Sequence, residues 1–431
     1  MHLRGKTIFV FGLFVLISVL GVLLSITPWM VLFLSLIFLS VASVFIFVYE
    51  DFSDKLVLGN KKISYPSLSV LIPCYNASAS ILQCVQAIKN MDYPQPFEVI
   101  VIDDGSKDNS VALVKTVSGV RVIVKEKNSG KANCLNLGLK EAQGELVVCI
   151  DADTYPEKDC LMKMVPLFES EKVGAVTALI KPYKPSNLLQ RIQSIEYLVG
   201  FGFYQSMLSV MDAAFVTPGP MCVYRKKYLL EIGGYDEQNI TEDMDIALNL
   251  QKHHYQIKAC HYATVYTEVP VTLSHWIKQR LRWYRGKIFN TKKYKDLLFN
   301  KEYGHLGRFT LPFTFLLELA SVLSIFIVLA NLADVLFYAG NVFFIGLSVG
   351  VGPKLELPKI IINSSTVLFY LIMLFIFSVN LYLAFKVSRQ KLSLSQFPVM
   401  LVLIMAYTTA VALIWMYSLF LELNHAKKVW L

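Results

Sequence analysis

Four short stretches carry residues whose types and spacing suit group transfer. Asp151-Ala152-Asp153 sets two carboxylates two residues apart, on one side of the chain if it stays extended. Oxygen ligands of that kind take hard cations such as Mg2+ or Mn2+, which usually share their coordination with substrate phosphates. The same residues would also make a polar turn before a helix. Asp103-Asp104-Gly105-Ser106 reads either as a turn or as a carboxylate that accepts a hydrogen bond from a nucleobase imide. Thr241-Glu242-Asp243 opens a helical pattern in which Thr241 suits the N-cap. Glu242, Asp243 and Asp245 then fall in the first turn, where the helix dipole favours anions. Asp243 is thus a candidate general base for an acceptor hydroxyl, held ionised by the helix N-terminus. Gln279, Arg282 and Trp283 lie within five residues, on little over one helical turn. Arg282 can clamp a departing diphosphate more specifically than Lys would. Trp283 can stack on a sugar ring or sit at a membrane interface, and Lys131 either pairs with a diphosphate or is a solvated lysine.

Apolar strands must position these acids. Ser69–Pro73, Phe97–Ile102, Val120–Lys125 and Glu145–Ile150 are short buried runs, separated by helical patterns at Ala79–Lys89 and from Asn128-Ser129-Gly130-Lys131 to Lys140. Such alternation predicts an α/β domain with a mainly parallel sheet and helices on both faces. In sheets of this kind ligands bind beyond the carboxyl ends of the strands, where Tyr75, Asp103, Asp104, Asp151 and Asp153 all fall. No Walker lysine loop and no Gly-x-Gly-x-x-Gly follows the first strand, which disfavours a P-loop ATPase and a nicotinamide enzyme.

The rest of the chain points to a bilayer. Hydrophobic residues make up 55% of the 431, high for a soluble globular protein. Thr7–Tyr49 holds no charge and predicts two membrane helices around Pro28-Trp29. Three more spans are expected near 310–337, 362–385 and 397–421, the first carrying Glu318. The Lys/Arg clusters at Arg4 and Lys6 and at Lys386–Lys391 then share the cytoplasmic side with the polar middle. The organisation expected is 1–50 as two N-terminal transmembrane helices, 51–305 as a cytosolic catalytic domain and 306–431 as a C-terminal transmembrane region of about three helices. Leu188, Ile192, Ile195, Val199 and Phe203 recur at helical spacing within Asn187–Met211, an amphipathic helix for the membrane surface or for an ordinary core. Ser274–Asn290 is similar but more basic. The net charge of +9 fits juxtamembrane Lys/Arg beside an anionic leaflet, and no nucleic-acid-binding pattern is present. The seven cysteines lie scattered in the polar middle and fit reduced thiols. His253, His254, Cys260 and His261 match no zinc spacing.

Taken in order between membrane segments, Asp103-Asp104-Gly105, Asp151-Ala152-Asp153, Thr241-Glu242-Asp243 and Gln279-x-x-Arg282-Trp283 resemble the family 2 membrane glycosyltransferases. Within these the chain resembles the processive polysaccharide synthases, especially the cellulose and bacterial poly-N-acetylglucosamine synthases. The motifs cover roughly residues 66–290. The resemblance implies a GT-A domain, a UDP-sugar donor and inversion to a β-linkage. It also implies residue roles: Tyr75 and Asp104, beside Asp103, hold uridine, and Lys131 lies near the diphosphate. Asp153, helped by Asp151, binds Mg2+ or Mn2+. Asp243, next to Glu242, deprotonates the acceptor; Gln279 and Arg282 secure the diphosphate, and Trp283 lines the acceptor end.

Three departures from the family pattern stand out, the first of which disfavours two products. Hyaluronan and chitin synthases usually carry Gly-(Asp/Glu)-Asp-Arg where this chain has Thr241-Glu242-Asp243-Met244. Direct control by a cyclic dinucleotide through a long carboxyl-terminal domain, as in some cellulose synthases, is not expected, and Ala77, where many relatives have an acid, is expected to have little effect. The expectation is a multi-pass cell-membrane enzyme with a cytoplasmic catalytic domain, using UDP-N-acetylglucosamine first and UDP-glucose second to extend a polysaccharide. Addition of one sugar to a lipid acceptor is the alternative, and an export subunit with a vestigial site a third reading.

Overall fold

A computed structural model of the chain describes residues 65–316, 333–334, 336–345, 377–391, 393, 396–403, 407–424 and 426. The first two expected spans, Glu318, and most of the third and fourth spans lie outside the described residues. Among the described residues no helix is long and apolar enough to cross a membrane; the longest C-terminal one is Thr408–Leu423.

Eight strands form one sheet: β1 (Leu68–Cys74), β2 (Glu98–Asp103), β3 (Arg121–Val124), β4 (Leu146–Ile150), β5 (Thr154–Pro156), β6 (Val173–Pro182), β7 (Met221–Arg225) and β8 (Gln256–Thr267). Their order is β3-β2-β1-β4-β7-β6-β8-β5. The expected first four strands are all present within a residue or two of their predicted ends, and β1, β2, β3 and β4 pair in parallel. Helical crossovers join them, Ile81–Lys89 after β1 and Lys131–Glu141 after β3. The expectation of a mainly parallel sheet is corrected to a mixed one. β7 enters between β4 and β6 antiparallel to both, and β5 lies antiparallel to β8.

Period two along the strands sends side chains to two cores. Val70 and Ile72 of β1 pack with Ile81, Val85 and Ile88 on one face. Leu71, with Ile100 and Ile102 of β2, packs on the other face with Leu135, Leu139, Ile246 and Leu250. Each such fully buried side chain contributes roughly 1.5–3 kcal/mol of transfer free energy, so the strand ends are held by a rigid slab. All seven cysteines are buried free thiols. His253, His254, Cys260 and His261 do not converge: His253 Nδ1 contacts the Asn249 carbonyl, His254 stacks on Tyr303, and burial drives His261 down to about 4.

A third core ties this slab to the C-terminal segments. The stretch from Leu188 to Val210 is helical throughout, widened to π geometry at Leu198–Tyr204. Its residues Ile192, Ile195, Leu198 and Phe203 pack with Met244, Leu248, Trp276, Phe385, Val399 and Tyr407. Of the two roles open to this amphipathic face, the described residues show it covered by protein, although Leu188 at its start is exposed.

Candidate active site

The parallel register brings the ends of β1, β2 and β4 to one edge, with Cys74 beside Asp103 and Leu71 beside Cys149. Tyr75 follows β1 and is exposed there. Asp103 Oδ2 accepts the backbone N–H of Gly105 and Ser106 at 3.2 and 3.0 Å, while its buried Oδ1 has no hydrogen-bond partner among the described residues. Asp104 is engaged on both oxygens. Its Oδ1 accepts from Lys125 Nζ (2.5 Å) and Ser129 N (2.8 Å), and its Oδ2 from Gly130 N (2.8 Å). Asp104 therefore staples the loop that leads into Lys131–Glu141. The one carboxylate oxygen of this pair without a partner among the described residues is Asp103 Oδ1, and it is buried.

The other acids meet at Lys131, the first residue of its helix. Its Nζ lies 2.6 Å from Asp151 Oδ1 and 2.8 Å from Glu242 Oε1. Asp151 and Glu242, 91 positions apart in sequence, thus share one ammonium. Burial opposes that charge, but Asp151 and Glu242 outweigh it and hold Lys131 well above its usual value. For Glu242 burial is likewise outweighed, by Lys131 and Arg282, and its carboxyl is lowered. Asp243 goes the other way: burial, then the Glu242 charge, pushes it up to about 6. Desolvation and the like charge of Glu242 outweigh the helix N-terminus, which leaves Asp243 ionised at neutral pH but more basic than an ordinary carboxylate. Two adjacent carboxylates with values driven apart suit separate roles, and the raised one is the better proton acceptor near neutral pH. Asp153 is pushed up to about 7 by burial, then by Asp151 and Glu268. Its Oδ1 takes only long bonds from Thr267 (3.3 Å) and Thr154 (3.4 Å).

Thr241 occupies the N-cap position of Glu242–Lys252 without capping it. Its hydroxyl serves the basic helix Leu273–Lys293 instead, accepting from Asn290 Nδ2 at 3.0 Å. That helix lays one face on the acid turn. Arg282 Nη1 donates to the Ile240 carbonyl (3.2 Å), Gly286 abuts Thr241, and Lys293 Nζ lies 2.5 Å from Asp245 Oδ1. Arg282 thereby acts on both Glu242 and Asp243. Gln279 turns its Oε1 to Arg280 Nη1 at 3.2 Å, and Trp283 is half-buried with its ring 4.0 Å from the Arg280 guanidinium carbon.

One part of the site escaped the sequence reading. In Thr217-Pro218-Gly219-Pro220, Thr217 donates through both N (3.1 Å) and Oγ1 (2.9 Å) to the Asp243 carbonyl. A Cβ at Gly219 would stand 2.6 Å from Lys131 Nζ and 2.9 Å from Asp151 Oδ2, so a larger residue there would displace the ends of these two bridged side chains. Glycine between two prolines is a turn signal, readable as a rigid loop though not as a site. Thr217, Gly219, Lys131, Glu242 and Asp243 line one small cavity.

Asp151 and Asp153 fit a divalent cation by the chemistry of their donor set, hard carboxylate oxygens crowded enough to raise Asp153. Among the described residues no group of three or more His, Cys, Asp or Glu is placed to hold a metal. Two carboxylates leave the remaining coordination to water and substrate phosphate, the usual arrangement for Mg2+.

Residues 69–233 match the model of the family described as Glycosyl transferase family 2. These residues form a family 2 glycosyltransferase domain. The chain is 32% identical over 252 residues to the poly-β-1,6-N-acetyl-D-glucosamine synthase of Staphylococcus epidermidis, covering 57% of this chain and 61% of that protein. It is 31% identical over 276 residues to the synthase of the same name from Staphylococcus aureus, covering 62% of this chain and 64% of that one. The matches thus span less than two thirds of these curated relatives. Among solved structures, a mannosyltransferase from Pyrobaculum calidifontis in complex with GDP-Man and Mn2+ aligns with a TM-score of 0.59 at 18% identity, over 86% of this chain and 98% of that one. The transferase domain therefore has the GT-A fold.

Proposed function

We propose that the chain is a membrane-embedded, inverting β-glycosyltransferase that extends a polysaccharide from UDP-N-acetylglucosamine. The observation that carries this is the shared ammonium: Lys131 bridges Asp151, beyond a strand end, to Glu242 beside Asp243, with Arg282 over them. Asp243 and the Lys131 ammonium then line one small cavity, and Arg282 acts on both carboxylates. Asp243 takes the proton of the acceptor hydroxyl as that oxygen bonds to the anomeric carbon. The bond from that carbon to the diphosphate breaks on the opposite side, UDP leaves, and Lys131 and Arg282 take up its negative charge. Displacement from the opposite side inverts the centre. A divalent cation on Asp151 and Asp153 would supply further charge to the leaving diphosphate. Uridine fits beside the exposed Tyr75, at the strand ends that carry Asp103 and Asp104.

The names of the Staphylococcus relatives favour N-acetylglucosamine over glucose as the sugar. The charge-free runs at Thr7–Tyr49, Ile360–Phe385 and Leu392–Leu421 support a multi-pass cell-membrane location with the transferase domain cytoplasmic and passage of the product through the helices. Purified protein in detergent with Mn2+ and a panel of UDP-sugars tests the reading. UDP release with UDP-N-acetylglucosamine, and a product ladder or polymer, is expected. A single added sugar would replace polymer synthesis with the lipid-acceptor alternative, and no UDP release from any donor would overturn the function.

A further inference from the structure

Arg280 is the middle residue of Gln279-Arg280-Leu281 and the largest fully buried cation in the chain's described part, with no exposed surface. An arginine taken from water needs compensation, and here it comes from two other segments, while its Nε has no hydrogen-bond partner among the described residues. Its Nη2 lies 2.5 Å from Glu196 Oε2 on the Leu188–Tyr197 helix. The same Nη2 donates to the Tyr407 hydroxyl at 3.1 Å, just before the C-terminal helix. Tyr407 in turn donates to Glu196 Oε2 at 2.5 Å and accepts from Trp276 Nε1 at 2.9 Å. One hydroxyl therefore makes three bonds, which exhausts its donor and both acceptor sites. The guanidinium also makes cation–π contacts, its central carbon lying 4.0 Å from the Trp283 ring centroid and 5.7 Å from that of Trp276.

We propose that Arg280 is a positioning residue: locked by Glu196 and Tyr407, it holds the Trp283 ring as a fixed platform for the acceptor sugar and ties that platform to the C-terminal helix. This rests on the proposed transferase function only in taking Trp283 to face the acceptor. A salt bridge serving packing alone could be exchanged for apolar side chains of similar volume without loss, as buried ion pairs commonly can. A guanidinium held against an indole by cation–π attraction has no apolar substitute, because an apolar side chain carries no charge for the ring face to attract. The two roles therefore separate experimentally.

The test uses the full chain in detergent, as wild type, Tyr407→Phe, Arg280→Lys, and the triple variant Glu196→Met/Arg280→Leu/Tyr407→Phe, which keeps the packing and deletes the fork. Two readings are taken. The KM for a β-linked N-acetylglucosamine oligosaccharide acceptor should rise about tenfold in the three variants, while the Kd for UDP stays within about twofold, since the strand-end site is untouched. Acrylamide quenching assigned to Trp283, from the difference between each protein and its Trp283→Phe version, should increase in all three. A triple variant that folds with wild-type acceptor KM and wild-type quenching overturns the proposal. If wild type releases no UDP, the transferase reading falls, and the quenching comparison alone decides whether Arg280 fixes Trp283: an increase sustains that fixing, and no change refutes it.

Discussion

Replacing Gly286 by alanine would drive one methyl group into the turn that carries the base. A Cβ there would stand 2.2 Å from Thr241 Oγ1, 2.3 Å from its Cγ2 and 2.8 Å from its Cβ. Ordinary contact needs about 3.5 Å, so helix and turn must part by about 1 Å. Neither can yield easily. Thr241 is pinned through its N–H to Asn239 (3.1 Å) and through its hydroxyl to Asn290 (3.0 Å). The basic helix is pinned on its far side by Arg285 to Glu422 (2.6 Å) and Trp276 to Tyr407 (2.9 Å). Overpacking of this kind costs about 1–3 kcal/mol. A displacement of about 1 Å at a reacting group costs on the order of 10²-fold in rate. Turnover should therefore fall roughly 100-fold at saturating donor, measured as UDP release. UDP affinity by titration calorimetry should fall much less than turnover, because the strand-end loops around Asp103 belong to other elements and only Arg282 rides on the shifted helix. Gly200→Ala is the control, since a Cβ there meets nothing within 4 Å. Wild-type turnover in Gly286→Ala, or an equal loss of UDP binding, would refute the reasoning.

Asp243→Asn should abolish sugar transfer and leave UDP binding nearly intact; loss of both together would remove Asp243 from the role of base. In the wild type, turnover should climb as pH rises through about 6 and then level, because Asp243 accepts a proton only once ionised. Its effect on stability has the opposite sign: a carboxylate raised by burial withdraws stability as pH rises past its unfolded value of about 3.9. A pH–rate profile flat across this range would contradict the assignment. Chelation should stop turnover, with Mn2+ or Mg2+ restoring it and Asp153→Asn demanding more metal for half-recovery. Full activity in excess chelator would count against a cation at Asp151 and Asp153.

How far the sequence foretells this molecule depends on how local each feature is. β1 to β4 are legible because each is a short apolar run closed by Asp, Gly or Asn, and the positions of Tyr75, Asp103 and Asp151 at strand ends follow from those runs alone. The direction of β7 is not legible, because Met221–Arg225 pairs with strands more than forty residues away on each side and nothing within it states which way it runs. Which aspartate keeps a vacant oxygen is equally hidden: Asp103 and Asp104 differ only in that Lys125, Ser129 and Gly130 fold back onto the second. Thr241 shows how local preference yields, since its capping hydroxyl is claimed by Asn290, forty-nine residues on. The basic helix Leu273–Lys293 is the deepest case. Its charge and aromatic content are plain in sequence, yet those residues divide by face. Arg282, Gly286, Asn290 and Lys293 meet the acid turn, while Trp276, Arg280 and Arg285 meet the C-terminal segments. A rigid rod gripped on both sides passes any shift of the C-terminal helix to the base and the acceptor platform alike. Acceptor chemistry in this chain should therefore answer to changes at Tyr407 and Glu422 that never touch the donor.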